Sequence, residues 1–101
     1  MIVLSTAGSP EEAARVSREL VERGLAACVN RLPGVTSVYR WQGAIEEATE
    51  VLLIIKTSAD KVQELEVALH ELHSYEVPEF LVLPVASGSR AYLEWLFTAI
   101  R

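Results

Sequence analysis

The chain is 101 residues long, 50% hydrophobic and 23% charged, with a formal net charge of −5 at neutral pH. That length allows one domain with a real core, and the hydrophobic content excludes a disordered segment. A net negative charge with no run of Lys or Arg is repelled by phosphate backbones and anionic membranes, so neither nucleic acid nor membrane is an expected partner.

Ile2-Val3-Leu4 is apolar on both faces and predicts a buried strand. It is too short for a signal-peptide core and lacks a basic leader, and no run approaches the ~20 apolar residues of a membrane span. Cys28 is the only cysteine, so no internal disulfide forms and a reducing cytoplasm is the expected location. Ser9-Pro10-Glu11-Glu12 supplies a cap, a first-turn proline and acids that suit a helix dipole. A helix over Pro10 to Arg23 follows, with Ala13, Val16 and Leu20 on its apolar side and Gly24 as its left-handed end.

Leu25 to Asn30 reads as the start of a second strand, which Pro33-Gly34 bends or bulges before it runs on to Trp41. Ser37 to Thr57 forms a long hairpin turning at Gln42-Gly43, because glycine tolerates the positive φ of a primed turn. Its second arm ends in Val51-Leu52-Leu53-Ile54-Ile55, apolar on both faces, so both faces must be covered. Ser58 caps a second helix with Val62, Leu65, Leu69 and Leu72 as its stripe. After Tyr75 and Pro78, Phe80 to Leu83 gives a fourth strand that Pro84 ends or places at an edge. Ser89 caps a last short helix, with Tyr92, Leu93, Leu96 and Ile100 on its apolar side.

The order β-α-β-β-α-β with an extra C-terminal helix is the ferredoxin-like pattern of α+β folds, built on an antiparallel sheet. Both long helices then cover one sheet face. One short helix is a poor lid for the other, so self-association through sheet faces is expected.

Few residues carry chemistry. A Ser or Cys nucleophile needs a base and an oxyanion pocket, and neither is spelled out, so no enzymatic activity is expected. Cys28, among small apolar neighbours, reads as a core filler. Gly8-Ser9-Pro10 reads first as a helix start, although such a terminus can hold an anion. Glu46, Glu47 and Glu50 read as a solvated ribbon edge or as a weak cation site. His70 and His73, three apart near a helix end, either sit favourably at its C-terminus or chelate a transition metal that lacks a third nearby ligand. Tyr39, Trp41, Tyr75 and Trp95 suit an interface, or line a cleft with Glu79 for a small metabolite.

The phrases Leu25-Ala26-Ala27-Cys28-Val29-Asn30, Pro33-Gly34, Ser37-x-Tyr39-x-Trp41-x-Gly43 and Lys56-Thr57 resemble the CutA divalent-cation-tolerance proteins. His73-x-Tyr75, Val77-Pro78-Glu79, Leu83-Pro84-Val85, Gly88 and Tyr92-Leu93-x-Trp95-Leu96 are similar to the rest of that pattern. The resemblance implies a ferredoxin-like subunit in a compact homotrimer, similar in architecture to PII signalling proteins, and a role in tolerance or homeostasis of divalent metals with copper binding. It implies no enzymatic activity and no required cofactor. Some bacterial members place a cysteine on the first strand and two adjacent histidines before a later turn. The matching positions here are Ser5, Leu72 and His73, so only His73 is kept, with His70 and Cys28 as the other candidate ligands. PII proteins signal through a long loop between the middle strands, and here that loop is Gln42-Gly43. An acylphosphatase-like reading of the same topology expects an arginine in the loop after the first strand, and Thr6-Ala7-Gly8-Ser9-Pro10 has none.

Overall fold

The structure, a computed structural model, describes residues 1–100. In chain order it contains β1 (Ile2–Ala7), α1 (Pro10–Glu22), β2 (Cys28–Trp41), β3 (Ala44–Lys56), a 3₁₀ turn (Ala59–Lys61), α2 (Val62–Leu72), β4 (Leu81–Leu83) and α3 (Arg90–Ala99). The strands form one sheet in the order β2-β3-β1-β4, with every neighbouring pair antiparallel. The expected order of elements and the antiparallel sheet are both present.

Local chemistry sets the element ends. The Ser9 hydroxyl accepts from the Glu12 amide at 3.1 Å, Pro10 opens α1, and Gly24 leaves it at φ +71°, a conformation that costs glycine little. The hairpin turn has φ +50° at Gln42 and +82° at Gly43, with Trp41 paired to Ala44. That is the primed two-residue turn the sequence predicts.

Three boundaries differ from the sequence reading by more than one residue. β1 extends to Ala7, because its polar residues find partners: Ser5 Oγ donates to the Glu79 carbonyl at 2.7 Å. β2 begins at Cys28 rather than Leu25, since the amides of Leu25 and Ala26 are bonded to the Leu20 carbonyl. Ser58 caps no amide; its hydroxyl bonds the Asp60 carboxylate, and a 3₁₀ turn precedes α2.

Strand parity divides the sheet into two faces. Val3, Ala7, Val51, Leu53 and Ile55 face α1 and α2 and join Val16, Leu20, Leu65 and Leu69 in the core. Leu53 and Ile55 are fully buried, each worth roughly 1.5 to 3 kcal/mol against exposure. The opposite face carries Leu4, Leu52 and Ile54, half-buried, and Leu81 and Leu83, exposed. The last helix covers little of it: Leu96 of α3 and Ile100 just past its end pack on Ala27 at one margin.

Between Leu32, opposite Leu52, and Val35, opposite Glu50, the ladder slips. Pro33 and Gly34 together face Val51, a β-bulge in which Gly34 takes φ +75°. The slip changes parity. Beyond it the odd residues Ser37, Tyr39 and Trp41 share a face with Ala48, Glu46 and Ala44, which continues the open face of the sheet.

Candidate functional site

The distal part of β2, β3, the end of β1 and the loop after α2 meet at one place and border an open cleft of about 400 Å³. Thr6 forms its floor, Tyr39 and Trp41 come from the ribbon, Glu50 from β3, and the 75–79 loop closes the remaining side. Four of the five residues expected around a cleft, Tyr39, Trp41, Tyr75 and Glu79, are brought together. Trp95 is not: it lies on α3 against Tyr92, with ring centroids 5.4 Å apart, and does not line the cleft.

Several contacts fix the 75–79 loop to the body. His73 ends α2 in an extended conformation, φ −88° and ψ 143°, which turns its ring inward. The buried ring donates from Nε2 to the Thr6 carbonyl at 2.6 Å and accepts at Nδ1 from the Tyr75 amide at 3.0 Å. A single neutral tautomer satisfies both bonds. The Tyr75 ring leans on His73, with centroids 4.6 Å apart, and its hydroxyl donates to Glu50 Oε2 at 2.7 Å. Gly8 makes room for that ring, since a Cβ there would stand 3.0 Å from the Tyr75 oxygen. Glu12 accepts from the Ser74 amide at 2.7 Å and from its hydroxyl at 2.9 Å.

These contacts set the charges. Burial, with the hydrogen bond to Glu50 and the charge of that carboxylate, holds the Tyr75 phenol proton well above its ordinary range. Desolvation pushes the Glu12 carboxyl upward, but the two bonds from Ser74, with the Gly8 amide, outweigh it and keep the pKa below the usual carboxylate value. Glu50 is buried and ligated by Tyr75, whereas Glu46 and Glu47 are exposed on the ribbon. Glu50, Thr6 and Val77 are cleft residues that sequence reasoning did not place there. Glu50 was legible in principle, because counting strand parity through the Pro33-Gly34 bulge puts it beside Tyr39 and Trp41.

The candidate metal ligands do not converge. His70 points out from α2, its Nδ1 3.0 Å from the Glu66 carbonyl of the same helix. His73 has both ring nitrogens engaged, and Cys28 sits half-buried at the start of β2 opposite Lys56. Their expected common face fails because α2 ends at Leu72, so His70 and His73 are not three apart on one helix. Among the described residues no three His, Cys, Asp or Glu side chains lie close enough to hold a metal. The described residues of one chain therefore do not fit a resident transition metal, which takes three or four protein ligands.

The fold and the cleft define a class: a small antiparallel α+β domain with an aromatic, carboxylate-lined cleft beside an open sheet face. The chain belongs to the family described as CutA1 divalent ion tolerance protein, whose family model matches residues 1–99. It is 48% identical to the divalent-cation tolerance protein CutA of Thermus thermophilus, over 94% of this chain and 92% of that one. A CutA crystal structure from Xylella fastidiosa superposes with a TM-score of 0.96 at 43% identity, covering 99% and 96% of the two chains. A structure titled periplasmic divalent cation tolerance protein CutA, from Archaeoglobus fulgidus, gives 0.96 at 37% identity over 99% and 97%.

Proposed function

We propose that this protein is a non-enzymatic homotrimer, built from ferredoxin-like subunits in a PII-like arrangement, that acts in the cytoplasm in tolerance and homeostasis of divalent metals. The observation that carries the role is the match to proteins named for divalent-cation tolerance along nearly the whole of both chains. The open face with Leu52, Ile54, Leu81 and Leu83 supports the assembly, since such a face in water forgoes burial. Catalysis is left out because His73 and Tyr75 spend their polar atoms on structural bonds. Weak binding of copper or another divalent cation is assigned to exposed donors, His70 first, rather than to a shared site with His73 and Cys28.

The test is growth in raised copper or zinc with the gene deleted and restored. Sensitivity that the restored gene reverses supports the role, and unchanged growth removes it. Light scattering at micromolar concentration reads the assembly: three times 11.2 kDa is expected, and a monomer mass overturns it. Calorimetry with copper should find His73→Ala as tight as the native protein and His70→Ala weaker.

A second reading is favoured by the cleft itself. Its volume of about 400 Å³ falls in the small-molecule range of roughly 300 to 1,000 Å³, so the same assembly serves as a regulatory module that binds a small metabolite beside Tyr39 and Trp41.

A further inference from the structure

The charge of the cleft wall selects its ligand. Three carboxylates, those of Glu50, Glu76 and Glu79, line it, and among the described residues no Lys, Arg or His does. Anionic metabolites and nucleotides are therefore repelled. The other principal groups are the rings of Tyr39, Trp41 and Tyr75. Glu50 is the buried member, and only its Oε2 is occupied, by the Tyr75 hydroxyl, so Oε1 remains for an incoming donor or charge. Tyr75 donates a hydrogen bond to Glu50 Oε2, which fixes the carboxylate in place, and lines the cleft with its own ring.

An inorganic divalent ion suits this place poorly. It requires several oxygens at short, fixed distances, and the described residues hold no such group of three ligands. Aromatic faces also cannot replace the water such an ion loses. An alkylammonium ion differs in both respects: its charge is spread over a larger surface, its carbon groups pack on rings, and ring faces attract cations. We propose that the cleft is a binding site for a small organic cation of the alkylammonium class, held by the Glu50 carboxylate against Tyr39 and Trp41. The proposal rests on the second reading above and adds the chemistry of the ligand.

The experiment uses the full chain in its native assembly, in a Trp95→Phe background so that Trp41 is the sole tryptophan reporter. The probes are choline and its neutral isostere 3,3-dimethyl-1-butanol. A saturable change in Trp41 fluorescence with choline is expected, with the isostere weaker by at least about tenfold. Glu50→Gln keeps an acceptor for Tyr75 but removes the charge, and should weaken choline by at least about tenfold while leaving the isostere unchanged. If that variant fails to fold, Glu76→Gln with Glu79→Gln reads the same charge from the rest of the wall, and choline should again weaken selectively. Equal binding of choline and the isostere, or choline binding indifferent to these variants, overturns the cation assignment while leaving a cleft that binds small molecules. Silence from both probes, with Trp41 shielded from acrylamide in the ligand-free assembly, overturns the cation assignment and the cleft reading together, because a neighbouring subunit then fills the space.

Discussion

Glu12 and Gly8 show how single residues hold the cleft loop. The Glu12 carboxyl has a folded pKa below its unfolded value, so its contribution is fully present above the unfolded pKa of about 4.3 and is lost as pH falls through the folded value. The urea midpoint should therefore drop between about pH 5 and pH 3 more steeply in the native protein than in Glu12→Gln. Equal slopes would assign the acid loss elsewhere. Gly8→Ala places a methyl group 3.0 Å from the Tyr75 oxygen, and the ring must give by a few tenths of an ångström, which lengthens its bond to Glu50. We expect about 1 to 3 kcal/mol of destabilisation by overpacking, seen as a lower denaturation midpoint, and a Tyr75 phenol that titrates nearer its ordinary range by ultraviolet absorbance. The inward turn of His73 was not legible from residue spacing, because it depends on where α2 stops, and the stop depends on tertiary bonds to Thr6 and Tyr75.

At the scale of elements, helices and hairpin were readable because their signals are local. Ser9-Pro10 and Gly24 bound α1, Ser89 caps α3 through the Tyr92 amide at 3.1 Å, and Gln42-Gly43 turns the ribbon. The start of β2 and the Ser58 turn were misread because propensity carries no information on the carbonyl each amide finds. The cleft was half readable: aromatic residue types pointed to it, but Trp95 was grouped by type where only topology separates α3 from the ribbon. The turn itself yields a prediction. Gln42 holds φ +50°, a strained position for a long side chain that asparagine tolerates better. Gln42→Asn should raise stability by up to about 1 kcal/mol, measured by denaturant unfolding with an unchanged slope, and no gain would mean that the turn relaxes in solution.

For the whole molecule the dominant feature is asymmetry of cover. One sheet face is sealed by α1 and α2, while the other is apolar, open and continuous with the ribbon, which stretches the molecule to 45 Å in its long dimension against 25 and 23 Å. On the proposed assembly, Leu81→Lys alters a side chain that is 57% exposed in the subunit, so the subunit should keep its far-ultraviolet spectrum. The particle mass should fall toward 11.2 kDa; an unchanged trimer mass would show that subunits meet elsewhere. The bulge at Pro33-Gly34 gives the ribbon a property that point substitution cannot imitate. It works as a parity bit for everything distal to it. Were both residues kept and the ladder closed without a bulge, Gly34 would face Glu50 and the Val38 and Arg40 side of β2 would replace the Tyr39 and Trp41 side in a single step, exchanging an aromatic wall for an aliphatic and basic one. Deleting one of the two would leave Tyr39 opposite Glu46, so it is the gain or loss of the bulge with the chain length kept, more than changes at the tip, by which a chain of this design would acquire a different specificity.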